Sequence, residues 1–310
     1  MGIIIVENSR IQKGSNSKTF IERAKNEIPR FIEHLSKFEE KITIDGYAPS
    51  TMFSYSRSLA VISLYFGKSP IELDSNDINT YLFKLTKVDS PSATYFKHMV
   101  YSLRFLFRLY NLDDKRIKLP KIKKTYKLPV VLSREEVRAL LKTPKGLKQR
   151  VIFALIYSAG LRINEVCQLK ISDIDEDRMQ IRIKQSKGNK DRYVILSTYM
   201  LQGLRKYIQR FKPKHFLFYG HDIDREISKS AIRQSFKLAA KKAGIIKECS
   251  VHTLRHSYAT HLLEDGVDIV SIKDLLGHSY IASTLHYLHV ANLNKMRAHS
   301  PLDTLYSDYY

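Results

Sequence analysis

The sequence predicts a mainly α chain in two parts, a helical bundle followed by an α+β domain with one small β-sheet. Three observations predict it. Apolar residues recur at three- and four-residue spacings through most of the chain. A proline-bearing cationic stretch interrupts them near residue 120. One pair of alternating segments flanks the turn-forming Ser186-Lys187-Gly188-Asn189. The length of 310 residues suits two domains of about 150 each, both large enough to bury a core. The boundaries read from these breaks are a bundle over 17–111, a basic linker over 112–129 and a second domain over 130–310.

In the bundle, Phe20, Ala24, Ile28, Phe31, Ile32 and Leu35 keep a helical beat that Pro29 should kink or restart. Pro49-Ser50-Thr51 opens a helix whose Tyr55, Leu59, Ile62 and Phe66 share one face, and Gly67 ends it. Ser75 or Asn76 caps a shorter helix through Tyr81, Leu82 and Leu85. Ser90-Pro91-Ser92 opens the last, with Phe96, Met99, Val100, Leu103, Phe107 and Tyr110 on one face. Stripes of this kind are core before they are base-stacking platforms.

The segment DDKRIKLPKIKKTYKLP, residues 113–129, has no apolar period. Its seven cations are Lys115, Arg116, Lys118, Lys121, Lys123, Lys124 and Lys127. It reads as an exposed linker, either a solvated charge run or a strap across a phosphate backbone.

Beyond it, Ser133-Arg134-Glu135-Glu136 is a capping box ahead of Val137, Leu140 and Leu141. A buried helix over 151–157 stops at Gly160, and another begins near Arg162. Met179, Ile181 and Ile183 alternate with polar residues, as do parts of 193–196, which makes a β-hairpin. Helices follow over 198–211, 228–243, 252–264 and 269–276, with Gly266 and Gly277 as stops.

Composition narrows the function. Fifty-two Lys and Arg against 31 Asp and Glu leave a formal charge of +21, which concentrates polyanions around the chain. At 44% hydrophobic residues the chain is globular rather than disordered. No apolar run approaches the ~20 residues that span a bilayer, and no lipid anchor or basic amphipathic helix stands out, so a membrane partner is not expected. MGIIIVENSR has no basic stretch before its apolar run, so no secretory leader is expected. The two cysteines, Cys167 and Cys249, fit reduced thiols in a cytoplasm. RNA-module signatures are missing, and nucleic acid, DNA above RNA, is the favoured partner.

The densest chemistry lies in HTLRHSYATHLLEDGVDIVSIKDLLGHSYIASTLHYLHV, residues 252–290. His252 and Arg255 share a helical face. His252 and His256 have the spacing of a zincin helix, but Thr253 stands where such a site needs glutamate, so zinc is a poor reading. Arg162 opens a helix, where it can face an anion or pair with Glu165. Arg255 adds a second planar fork for phosphate oxygens. Lys187 sits at a hairpin tip, and Tyr287 lies nine residues beyond His278. With 19 tyrosines in the chain, Tyr287 alone carries no weight.

Taken together, ALIYSAGLRINEVCQLKISDID, IKQSKGNKDRYVILS, HTLRHSYATHLLEDG and LLGHSYIASTLHYLHV closely resemble the tyrosine recombinase (phage integrase) family. YAPSTMFSYSRSLAVISLYFG and SPSATYFKHMVYSLRFLFRLY resemble its helical, SAM-like core-binding domain. The resemblance spans roughly residues 17–300. It implies a catalytic set of Arg162, Lys187, His252, Arg255, His278 and Tyr287, with Glu165 in support. It also implies strand cleavage and rejoining through a 3′-phosphotyrosyl link, without ATP, metal or cofactor. Tyr287 attacks, His252 takes its proton, Lys187 protonates the leaving 5′-oxygen, and Arg162, Arg255 and His278 neutralise the phosphorane. The implied partners are double-stranded recombination sites, a dimer of this chain on each site, a tetramer in the synapse, and in some relatives a heterologous recombinase. A DNA-binding protein without chemistry and a type IB topoisomerase-like enzyme are the alternatives on the same fold. Xer, integron, phage and transposon types all remain open.

Overall fold

The computed structural model describes residues 17–87, 92–117, 120, 128–186 and 190–291. The chain divides between residues 125 and 126 into two compact units.

The N-terminal unit is helical. Helix α1 (Ser17–Glu27) stops before Pro29, and α2 (Phe31–Ile44) restarts after Arg30, which takes a left-handed φ of 58°. Then come α3 (Pro49–Phe66), α4 (Ser75–Lys87), α5 (Ala93–Leu109) and α6 (Asp113–Ile117). Helix α3 packs on α1, α2 and α5. Phe31, Leu35, Phe38, Leu59, Ile62, Leu82, Met99, Leu103 and Phe107 form one core, so the aromatic stripes are packing residues.

Two local expectations are corrected. The α4 cap is Asp74, not Ser75 or Asn76: its carboxylate accepts from the Asp77 amide at 2.7 Å, one residue earlier than the hydroxyl pattern suggests. The basic segment also does not begin as an exposed linker. Lys115 donates to the Ile71 carbonyl at 2.7 Å, and Arg116 pairs with Asp113 at 2.9 Å, so the first turn of that segment docks as α6. Lys118, Lys121, Lys123, Lys124 and Lys127 lie outside the described residues.

The second unit begins with α7 (Arg134–Lys142), where Ser133 and Glu136 close the expected capping box. Helix α8 (Leu147–Ala159) is the hub, contacting α10 (Thr198–Phe211) and α12 (Val251–Glu264). Between them in sequence stand α9 (Ile163–Gln168), the strands β1 (Ile174–Asp175), β2 (Gln180–Ser186) and β3 (Lys190–Ile195), and α11 (Lys229–Lys242). The antiparallel order is β1-β2-β3, with Ile181 opposite Val194 and Ile183 opposite Arg192. Strand β1 has two residues, too few for alternation to reveal. The chain closes on α13 (Ile269–Leu276), α14 (Ala282–Leu285) and a 3₁₀ turn over His286–His289. A satellite core of Tyr258, Leu263, Ile272, Leu276 and Tyr287 anchors this end to α12. Among the described residues no helix is long and apolar enough to cross a membrane.

Candidate active site

The site is assembled at helix ends. Helices α8 and α13 stop at Gly160 and Gly277, both with φ of 61°. A Cβ at Gly160 would lie 2.5 Å from the Tyr258 ring, and one at Gly277 would lie 2.9 Å from Cδ of Arg192, so neither position accepts a side chain without displacement. The carbonyls left without helical partners there, at the negative end of each helix, take the site's cations. Arg255, on α12 and 2% exposed, donates to Gly160 O at 2.6 Å and to Leu276 O at 2.7 Å. Arg162 donates to Gly277 O at 3.1 Å. The sequence leaves Arg162 either to face an external anion at the start of α9 or to pair with Glu165, and no external anion is needed to satisfy it. The Arg162 amide is taken by the Glu165 carboxylate at 2.8 Å, and the Arg162 guanidinium bonds the other oxygen at 2.8 Å.

Glu165 is shared further. Arg192, on β3, grips it with two bonds of 2.8 Å and also donates to Leu275 O at 3.0 Å. Burial acts to raise the Glu165 pKa, but the Arg192 fork and the bonds from Arg162 outweigh it and hold the carboxyl at about 2. Burial first, then Arg162, draws Arg255 down to about 9, which leaves it charged at neutral pH.

His278 follows the α13 stop. Its Nε2 lies 3.1 Å from Arg255, which can only donate, so Nε2 accepts and the ring proton sits on Nδ1, donating to Thr284 Oγ1 at 2.9 Å. Burial, then Arg255 and Arg162, push its pKa to about 3, so the ring is neutral.

Tyr287, in the 3₁₀ turn, is 1% exposed, and its hydroxyl lies 3.0 Å from Nδ1 of His256. Burial raises the phenol pKa while Arg255 and Arg162 pull it back, so the hydroxyl sits within the field of both guanidiniums. His252 is exposed one turn from His256, with ring centroids 5.5 Å apart. No hydrogen bond joins His252 to Tyr287 among the described residues. Partial burial, then Arg255 and Arg162, lower the His252 pKa.

Of the sequence-predicted set, Arg162, Glu165, Arg255 and His278 therefore form one bonded network. Tyr287 joins it through α12, and His252 borders it. Lys187 lies outside the described residues, although both arms of its hairpin are present. Two residues at the site were missed by sequence reasoning. His256 carries a signal, the four-residue spacing from His252, but it reads as a metal pair and not as a phenol partner. Arg192 carries a subtler one: it shares the inward face of β3 with Val194, where a cation needs a buried anion. Among the described residues no group of three or more His, Cys, Asp or Glu is placed to hold a metal ion.

Residues 130–293 match the phage integrase family, and residues 34–115 match the phage integrase N-terminal SAM-like domain. The chain belongs to the phage integrase family of tyrosine recombinases. A putative integrase/recombinase of Sinorhizobium fredii, y4qK, is 37% identical over 272 residues, covering 87% of this chain and 88% of the relative. The tyrosine recombinase XerA of Thermococcus kodakarensis is 36% identical over 265 residues, covering 83% of this chain and 91% of the relative. A crystal structure of a lambda integrase dimer bound to a COC′ core site shares the fold. Its TM-score is 0.68 at 19% identity, over 81% of this chain and 96% of that one. The recombinase is thus a tyrosine-type, site-specific enzyme of DNA recombination, and the non-catalytic alternative is not favoured.

Proposed function

We propose that this recombinase breaks and rejoins DNA through Tyr287. The phenolic oxygen attacks a backbone phosphorus, the deoxyribose 5′-oxygen leaves, and a 3′-phosphotyrosyl ester holds the broken strand. Ester exchange conserves the bond energy, so a second strand's 5′-hydroxyl reverses the step without ATP. The observation that carries this reading is the buried Tyr287 hydroxyl bonded to His256, the residue beside Arg255 on α12, while its ring packs with Leu276, whose carbonyl holds the Arg255 fork. These forks brace the non-bridging oxygens. Preorganised donors of this type are worth ~3–4 kcal/mol each in a transition state. His278, with Nε2 accepting from Arg255 and Nδ1 donating to Thr284, steadies the Arg255 fork, and it donates to a phosphate oxygen only once Nε2 has taken a proton. Glu165 orients Arg162, the exposed His252 offers a further imidazole to the phosphate, and Lys187 protonates the leaving oxygen.

The substrate is double-stranded DNA, engaged by a dimer at each site and a tetramer in the synapse, with a heterologous recombinase as a further partner. Lys118, Lys121, Lys123, Lys124 and Lys127 meet its phosphates, whereas Lys115 and Arg116 serve α6. The setting is the cytoplasm, at the nucleoid when bound. A nicked suicide duplex tests the chemistry: the wild type should leave an SDS-resistant adduct, and Tyr287→Phe should bind the same duplex without one. An adduct formed by Tyr287→Phe overturns the assignment of the nucleophile.

A further inference from the structure

A phenol with a pKa near 10 cannot attack phosphorus efficiently at neutral pH unless something takes its proton during the attack. The Tyr287 hydroxyl makes one hydrogen bond among the described residues, to Nδ1 of His256 at 3.0 Å. Were Nδ1 the donor, the phenolic proton would have no acceptor there. The satisfied arrangement has Nδ1 accepting from the phenol, with the ring proton on Nε2. His256 is half-buried on α12, facing the 3₁₀ turn, with the rings of His252 and His286 5.5 Å and 6.4 Å away.

We infer that His256 is a catalytic residue of strand cleavage, the group that holds the Tyr287 hydroxyl and accepts its proton as the oxygen attacks phosphorus. The inference rests on Tyr287 being the nucleophile. In the step, the Tyr287 O–H bond breaks and its proton becomes the Nδ1–H of an imidazolium. The oxygen's electron pair forms the new O–P bond, and the deoxyribose 5′-oxygen departs with a proton from the general acid. In rejoining, the imidazolium returns the proton to the departing phenolate. The ring is in the right state to begin: burial first, then His252, His286 and Arg255, hold its pKa down at about 4. Above that pH Nδ1 keeps its lone pair. The incoming phosphodiester supplies the negative charge that favours the imidazolium among two guanidiniums.

The experiment is single-turnover adduct formation on the nicked suicide duplex, from pH 5.5 to 9, with DNA affinity measured alongside. Wild-type cleavage should show no limb from His256 across this range, because the ring is already neutral. His256→Asn can still accept a hydrogen bond but cannot take up the proton. It should bind DNA as tightly as wild type and form adduct roughly 100-fold more slowly, the low end of what a general base contributes. His256→Ala should be slower still, with a rate that climbs up to tenfold per pH unit as hydroxide takes over, and should recover in part with added imidazole.

A wild-type rate for His256→Asn overturns the inference. So does a His256→Ala profile parallel to wild type without imidazole rescue, which would mean packing alone, or an adduct that forms faster, which would mean a latch. Should His256→Ala fail to fold, the near-isosteric asparagine variant decides. A wild type that forms no adduct overturns the Tyr287 reading itself and the inference with it, a result distinct from those of the variants.

Discussion

The two units bury polar groups in different ways. In the N-terminal unit several are serines satisfied within their own helix, and the Nε of Arg57 and the hydroxyl of Tyr110 are buried with no hydrogen-bond partner among the described residues. Ser58 and Ser63 bond carbonyls four residues back, and His34 meets Ser69 at 2.7 Å. Most of its ion pairs, such as Arg23–Glu27 and Lys37–Glu33, are exposed single-turn contacts. In the C-terminal unit Arg162, Arg192 and Arg255 gather on one carboxylate, Glu165, all with side chains less than a quarter exposed. Removing charges from water costs several kcal/mol per ion, and here the positive charges outnumber the anion. A bundle built for shape avoids such an arrangement. A site waiting for a phosphodiester can accept it, because the missing negative charge arrives with the substrate.

The sharpest way to break this contrast is Glu165→Gln. The folded-state pKa of Glu165 is depressed from 4.5 to about 2. A depressed carboxyl stabilises the fold fully above its unfolded-state pKa and loses that contribution as pH falls through the folded value. The expected contribution is ~3 kcal/mol at pH 7. Urea unfolding should show Glu165→Gln weaker by about that amount at pH 7. The gap to wild type should narrow as pH is lowered from about 4.5 toward 2. A gap that stays constant with pH would remove the ionic explanation.

A matched pair of glycines sharpens the comparison. Gly67 and Gly160 both end helices with left-handed φ, 66° and 61°. A Cβ at Gly67 meets nothing within 4 Å, while one at Gly160 meets the Tyr258 ring at 2.5 Å. Gly67→Ala should cost ~1 kcal/mol, the left-handed penalty alone. Gly160→Ala should cost ~3 kcal/mol, because overpacking adds to it. Gly160→Ala should also slow adduct formation, since its carbonyl holds Arg255. Equal losses in thermal unfolding, or unchanged cleavage by Gly160→Ala, would contradict this. The smallest effect belongs to Arg23→Ala, whose exposed pair should leave the unfolding midpoint unchanged.

How far the sequence reveals the molecule follows the same divide. Helix ends at Pro29, Gly67, Gly160 and Gly277 are legible because those residues restrict or free the backbone locally. Tyr287 and the arginines are legible through long motif strings, not through spacing, since a tyrosine in a chain with 19 is anonymous. His256 and Arg192 are not, because their meaning lies in partners 31 and 27 residues away in sequence. Periodicity says which face a residue occupies and nothing of what stands opposite. Helix α6 escaped because a run of lysines masks the contact that Lys115 makes with Ile71.

The arginine forks hang on the main chain, on the carbonyls of Gly160, Leu276 and Gly277. An acceptor of that kind cannot be mutated away, because every amino acid supplies the same oxygen. Apart from the Glu165 bond to Arg162, the grip on these two cations is therefore insulated from most point substitutions around it. It is vulnerable chiefly at the two places where the backbone must bend in a way that only a residue without a side chain allows.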